Sequence, residues 1–459
     1  MVSLSEGQKI EINAIVTRVN YSRNGSFYKV TDGTATFSFS SLNPYHPGDV
    51  ISVTGVVEDI AELRIREESS AKYSGENEKQ IRNEITGRLI LSIGIKEREL
   101  LVNDSIMDSL KPKIIETAKT LLAAQKLGRH TLLRFHSDAD GISGAFAITK
   151  FLRCTAIQSN SAVYGEKDAI RDLSSIHHEY SPLVVLLDFG ANKESEGGLK
   201  LLKASGAEIV LIDHHPPMEN ISQYASVFLS PWSVSKEETV SKYPAGYLAV
   251  EVARVAGEEN LDELAVVSCA GDKSEILKVD QNARDKALVL DYLAIYSAYG
   301  NNLAFYKSVF EKEELFQSML MQSKDKIAQI INAVKSSMKE QQFNGVAVYV
   351  VELEKAIKES EFPSRGKITT YLFEMFGNDK PVVVLGYGNK SIIIRINQLA
   401  LEKDISADKL IVKVKESMKD FVESGGGHAK AAAIRAREGF TESVLDELVK
   451  EIKRVASGQ

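Results

Sequence analysis

The chain has 459 residues, 44% of them hydrophobic and 26% charged, with a formal net charge of −7. No run of about eighteen apolar residues occurs, so no membrane-spanning helix is expected. Two cysteines, Cys154 and Cys269, are too few for a disulfide framework or a thiolate zinc site. Both sit in apolar context and read as small core residues. The acidic balance argues against a surface that coats polyanions generally. The first residues lack a basic-then-apolar leader, so the reading is a cytoplasmic protein of two or three domains.

Residues 1–68 form the first expected domain. The runs 9–20, 26–31, 34–40, 49–58 and 62–66 alternate in period two. Asn24-Gly25, Asp32-Gly33 and Pro47-Gly48-Asp49 separate them, which predicts a small closed barrel of five strands. Tyr21, Phe27, Tyr28 and Tyr45, with Arg18, Arg23 and Lys29, are candidates for a surface that stacks single-stranded bases. Phe27, Tyr28 and Arg18 lead that set; the alternative for each aromatic is barrel core.

Residues 69–103 are charged and weakly patterned and read as a linker. Ile106, Leu110, Ile114, Ala118, Leu121 and Leu122 then recur at helical spacing, which predicts a helix over 104–127. It opens a second domain, 104–301. Apolar runs at 131–136, 161–165, 183–188 and 208–213 are strand candidates separated by helix-length segments. Such alternation implies parallel strands with right-handed crossovers. Apolar helices are expected at 142–154 and 243–254.

Four short stretches of this domain carry its chemistry: His136-Ser-Asp-Ala-Asp-Gly141, Leu186-Leu-Asp-Phe-Gly190, Ile212-Asp-His-His-Pro216 and Ala270-Gly-Asp272. In parallel sheets the site lies at the carboxyl ends of the strands. Asp138, Asp188 and Asp213 fall there. Five carboxylates (Asp138, Asp140, Asp188, Asp213, Asp272) and His214 form a set of hard oxygen and imidazole donors suited to divalent cations. Singly, each aspartate reads better as a helix cap or turn residue; it is the joint set that points to metal ligation. His177-His178, before a Tyr-Ser-Pro turn, read as surface residues.

Residues 302–342 read as a helical connector ending in a polar run. A third domain, 343–459, repeats the α/β pattern, with strands at 346–353, 381–386 and 391–397 and helices at 367–376 and 441–456. Within it, Gly425-Gly-Gly-His428 precedes an alanine-rich stretch read as helical. Gly425, Gly426 and Gly427 let backbone amides approach a phosphate without a Cβ in the way, and His428 and Lys430 add donors. The alternative is a flexible turn. Arg365 and Lys367 have a weaker claim as phosphate contacts.

Taken in order, His136-Ser-Asp-Ala-Asp-Gly141, Asp188, Asp213-His-His215, Asp272 and Gly425-Gly-Gly-His428 resemble the DHH phosphoesterase superfamily, with its associated domain downstream. The match spans roughly residues 130–435. The phrases Tyr28–Phe37 and Gly48–Gly55 resemble the OB-fold family. The resemblance implies an α/β fold: a parallel-sheet DHH domain, a smaller α/β DHH-associated domain and an N-terminal OB-like barrel. Barrel and motif spacing look like the archaeal RecJ-like single-strand nucleases, relatives of the GINS-associated nuclease.

That resemblance assigns roles. His136, Asp138 and Asp188 would hold one metal; Asp140, Asp188, His214 and Asp272 would hold a second, with Asp188 shared. Asp213 would orient His214 from behind, and His215 would face the scissile phosphate. Arg395 resembles the family's substrate-gripping arginine. Mn²⁺ suits the mixed imidazole and carboxylate set, with Mg²⁺ the alternative. The implied activity is two-metal exonucleolytic hydrolysis of single-stranded DNA or RNA to 5′-mononucleotides, in replication or repair. GINS or other replisome proteins are implied partners, and no membrane is. The alternatives are a small-substrate phosphodiesterase and a replisome scaffold.

Overall fold

The computed structural model describes residues 4–22, 25–176, 180–296, 302–358, 361–377 and 379–458. Arg23, Asn24, His177 and His178 lie outside them. The chain divides into two compact units, one formed by 1–290 with 298–307 and one by 291–297 with 308–459.

The first unit opens with a closed barrel of β1 (Lys9–Asn20), β2 (Ser26–Thr31), β3 (Thr36–Ser41), β4 (Val50–Asp59) and β5 (Arg64–Lys72), ordered β1-β2-β3-β5-β4. A register shift between Val16 and Arg18 lets the long β1 pair with β4 and then with β2. β3 and β5 close the barrel in parallel. Asp32 makes its turn by accepting from the amides of Thr34 at 2.7 Å and Ala35 at 2.8 Å. Period-two alternation sends Ala14, Val16, Tyr28, Val30, Phe37, Phe39, Ile51, Val53 and Ile65 inward.

The expected linker is not one. β5 runs to Lys72, and α1 (Gly75–Ser92) follows at once. Ile85 and Leu89 of α1 pack with Ile15 and Val50 of the barrel and with Ala123 of α2 (Ser105–Lys126). Charge masks the pattern, because only two residues of α1, Ile85 and Leu89, are buried. The Arg82 guanidinium lies 4.0 Å over the Tyr180 ring and donates to the Gly48 carbonyl at 2.8 Å. Gly48, at φ 90, leaves no room for a Cβ, which would meet that ring at 2.4 Å. The barrel is thus built onto the following domain.

That domain is a parallel sheet with interleaved helices. In chain order come β6 (Thr131–His136), α3 (Ala139–Phe151), β7 (Thr155–Ser159), α4 (Glu166–Ile176), β8 (Leu183–Leu187), α5 (Glu196–Ala204), β9 (Glu208–Ile212), β10 (Val227–Leu229), α6 (Ala245–Val255), α7 (Asp262–Gly271) and α8 (Gln281–Tyr296). The spatial order is β10-β9-β8-β6-β7. The second strand lies at 155–159, not at 161–165. Its side chains are only partly buried, as befits an edge, so the apolar signal there is faint. β8 is buried on both faces, hence its unbroken Leu-Val-Val-Leu-Leu. The chain leaves β6 toward β7 and returns on the other side at β8, so the switch point lies between β6 and β8.

α3, α6 and α7 pack closely through small residues. A Cβ on Gly144 would stand 2.9 Å from Gly246 Cα, 2.9 Å from Leu187 Cδ2 and 3.2 Å from Ala249 Cβ. On Gly271 it would meet Ala139 Cβ at 2.9 Å.

The second unit contains α10 (Glu313–Lys335), which follows α9 (Asn302–Phe310), and a six-stranded sheet ordered β11-β12-β13-β14-β16-β15. Its strands are β11 (Lys339–Phe343), β12 (Val346–Glu352), β13 (Val382–Tyr387), β14 (Ser391–Ile396), β15 (Val422–His428) and β16 (Ala431–Ala436). Its helices are α11 (Arg365–Glu374), the short α12 (Gln398–Leu401), α13 (Ala407–Ser417) and α14 (Thr441–Ala456). Two expectations are corrected. The polar end of the connector is edge strand β11, and the alanine run at 431–433 is strand β16 rather than helix. Alanine favours helix only weakly, and pairing with β14 and β15 overrides it.

Gly144→Val should cost about 1–3 kcal/mol by forcing α3 from α6. Denaturant unfolding of both proteins measures it; equal midpoints would show that the helices are not held at this contact.

Candidate metal centre

The acids converge at the switch point. Asp138 follows β6 and caps α3, its Oδ1 accepting from the Gly141 amide at 3.0 Å. Its Oδ2 lies 2.7 Å from His136 Nδ1. Asp188 follows β8, with its amide donating to the Ile212 carbonyl at 2.8 Å. Its φ of 66 is a left-handed conformation that aspartate enters more readily than most residues. Asp213 and His214 follow β9. Asp272 caps the carboxyl end of α7, so this acid is delivered by a helix.

Asp188 stands at the middle. It is 1% exposed. Its Oδ2 is 3.6 Å from His136 Nδ1, and its Oδ1 is 3.5 Å from His214 Nε2 and 3.9 Å from His215 Nδ1. Oδ1 is buried and accepts no hydrogen bond. Two donor groups meet here: His136, Asp138 and Asp188 in one, Asp140, His214 and Asp272 in the other, each with ligand atoms within 4.8 Å of one another. Asp188, His214 and His215 form a third group of the same kind.

Burial and the charges of Asp140, Asp138 and Asp272 push the Asp188 carboxyl well above its ordinary range. Burial and Asp272 raise Asp140 to about 7, against the pull of His214 and Ser268. Burial pushes His214 down, but Asp272, Asp140 and Asp213 outweigh it and raise the imidazole to about 10. In His136, likewise, Asp138 outweighs burial and the net movement is upward.

One expectation is corrected. Asp213 does not orient His214. Its Oδ1 binds His215 Nδ1 at 2.8 Å and the His215 amide at 3.0 Å, and its Oδ2 accepts from the Ala191 amide at 3.1 Å. His215 holds Asp213 below the usual carboxylate range despite burial. His214 is fixed instead by the Ser241 carbonyl, 2.8 Å from its Nδ1. Trp232 Nε1 donates to the His214 carbonyl at 2.8 Å. Adjacent histidines face different ways, and spacing alone does not say which one the preceding aspartate reaches.

Sequence reading also missed what holds Asp140. The amides of Ala245 and Gly246, at 2.9 Å each, and the Ser268 hydroxyl donate to its carboxylate. The signals were present: Pro244 just before Ala-Gly is a helix start, and Ser268 is the lone polar residue in Leu264–Ala270.

The barrel candidates divide. Tyr28 is core: fully buried, stacked on Phe39 at 5.3 Å, its hydroxyl donating to the Asn43 carbonyl at 2.6 Å. Tyr45 is buried too. Arg18 and Lys29 are exposed and directly paired between β1 and β2; Phe27, two positions along, is half-buried. Tyr21 is exposed.

In the second unit, Gly425–His428 is edge strand rather than turn. Gly427 has φ 141, and a Cβ there would lie 2.5 Å from the Ala431 carbonyl oxygen. Gly426 is exposed, and a Cβ on it would meet nothing within 4 Å. Arg395 lies on β14, its Nε donating to Thr370 Oγ1 at 3.0 Å and one terminal nitrogen to the Ile394 carbonyl at 3.0 Å. Burial lowers its pKa. Arg365 is buried and paired with Glu354, and Lys367 is paired with Asp291.

Comparison with known proteins agrees with this geometry. Residues 131–271 match the DHH family, N-terminal domain. An uncharacterized protein of Methanocaldococcus jannaschii is 24% identical across 98% of this chain and 69% of its own length. The solved DHH domain of a member of a family of ribosomal proteins is 25% identical, with a TM-score of 0.74 over 83% of this chain and 99% of that one. RecJ from Thermus thermophilus, solved in complex with Mn²⁺, shares the fold at 14% identity, with a TM-score of 0.51 over 74% of this chain and 55% of its own. Residues 131–271 therefore carry a DHH-family domain, and the fold around it is shared with RecJ.

Proposed function

We propose that the protein is a divalent-metal-dependent phosphodiesterase that degrades single-stranded DNA or RNA from an end, releasing 5′-mononucleotides. The observation that carries this reading is the buried Oδ1 of Asp188, which accepts no hydrogen bond, between two groups of imidazole and carboxylate donors. An orphaned buried carboxylate oxygen is costly without a cation, so the residues fit a pair of hard ions. His136, Asp138 and Asp188 would hold one, and Asp140, Asp188, His214 and Asp272 the other. Mn²⁺ suits the mixed donors, with Mg²⁺ the alternative. Such ions supply neutralisation of phosphodiester charge and activation of water.

The other residues have roles in binding. Asp213 holds His215 through Nδ1, which leaves Nε2 of this half-exposed ring for a substrate phosphate. Arg395 is a half-buried cation with no carboxylate paired to it among the described residues, an arrangement suited to a phosphate. Gly427 is required by its own strand. Gly426 is not, so close approach of a ligand backbone accounts for it. Arg18, Lys29 and Phe27 on the barrel surface would hold the strand away from the reacting end. Support comes from the DHH match and the RecJ-like fold.

End-labelled single strands incubated with Mn²⁺ should release mononucleotides, and Asp138→Ala or EDTA should reduce this to background. Full activity in EDTA would refute the reading. Gly426→Val should weaken substrate binding while leaving unfolding free energy within about 0.5 kcal/mol, whereas Gly427→Val should destabilise the fold. Unchanged KM in Gly426→Val would remove that strand from substrate binding. Mn²⁺ must displace protons from Asp140, near 7, and His214, near 10. Raising the pH from 6 to 8 removes the Asp140 proton and makes the His214 proton easier to displace, so the rise in Tm on adding Mn²⁺ should be larger at pH 8; a smaller rise would contradict ligation by these groups.

A further inference from the structure

Asp140 is fully buried, and three donors already reach its carboxylate. The Ala245 amide donates to Oδ2 at 2.9 Å, the Gly246 amide to Oδ1 at 2.9 Å, and the Ser268 hydroxyl also to Oδ1. A carboxylate offers about four lone-pair sites. Oδ1 is therefore filled, and Oδ2 keeps one site open. The donors come from two elements, the first turn of α6 and the body of α7. Gly246 is fitted to the carboxylate: a Cβ there would lie 2.6 Å from Asp140 Oδ1 and 2.3 Å from the Asp140 carbonyl oxygen. None of the three donors belongs to a cation-holding group, yet together they fix the rotation of an acid that does.

We infer that Ser268, with the Ala245 and Gly246 amides, is a positioning residue of the centre: it locks Asp140 so that a single lone pair of Oδ2 faces the cation held with His214 and Asp272. A cation beside His136 and Asp138 would share only Asp188 with that one and does not use Asp140. This rests on the two-cation reading. Outer partners of ligating carboxylates typically contribute tenfold or more to metal affinity, and here the contribution falls on one ion of the pair.

The test is calorimetric titration of Mn²⁺ into the full-length, metal-free protein and its Ser268→Ala variant, with electron paramagnetic resonance of the loaded samples. Two binding events are expected in the parent. In Ser268→Ala one event weakens about tenfold, the other is unchanged, and at limiting Mn²⁺ the spin-coupled pair signal gives way to that of isolated ions. Unfolding in EDTA reports on the packing of α7 separately. If the alanine variant is unfolded, Ser268→Cys, which keeps the volume with a weaker donor, carries the comparison and should show a smaller loss in the same event. Two events unchanged, or both weakened equally, would overturn the role of Ser268 and leave the two-cation reading standing. No Mn²⁺ binding by the parent would overturn both.

Discussion

Repulsion among carboxylates crowded around the buried Asp188 and Asp140 is the constraint on which this molecule depends. Ligand oxygens of Asp138 and Asp188, and of Asp140 and Asp272, lie within 4.8 Å of each other. At that separation, with an effective dielectric of about 20, two full negative charges repel by roughly 3 kcal/mol. Several such pairs meet at one place, and Asp188 sits there with an oxygen that no donor satisfies. Here they are supported by a left-handed turn at Asp188, a helix start behind Asp140 and a carbonyl behind His214.

The surrounding architecture follows from that need. Parallel strands buried on both faces end together at the switch point between β6 and β8, so two acids emerge side by side without long loops. The small residues Gly144, Gly246 and Gly271 let α3, α6 and α7 crowd against them, and this brings the amides and hydroxyl onto Asp140. The barrel is packed onto the same unit through α1 and α2, so its exposed cations are carried on a fixed body.

What could be read in the sequence was what period and order encode. Two barrel strands, β1 and β2, and the last helix fall where their patterns place them, because alternation and helical spacing are strong there. That these acids and histidines would gather in one place was legible as well, since most of them stand just after apolar runs. Three kinds of information were not local. α1 has too thin an apolar stripe to announce itself. The edge strand at 155–159 lacks a buried face. The alanine run of β16 is strand only because its neighbours pair with it. Partner choice was also hidden: Asp213 reaches His215 rather than His214, and Tyr28 turns into the barrel rather than onto its surface.

The most direct test of the central claim is anomalous diffraction from crystals of the full-length protein soaked in Mn²⁺. The account predicts two peaks, one against His136 and Asp138 and one against Asp140, His214 and Asp272, with Asp188 touching both. Peaks elsewhere, or an empty cluster with Asp188 unliganded at neutral pH, would contradict it.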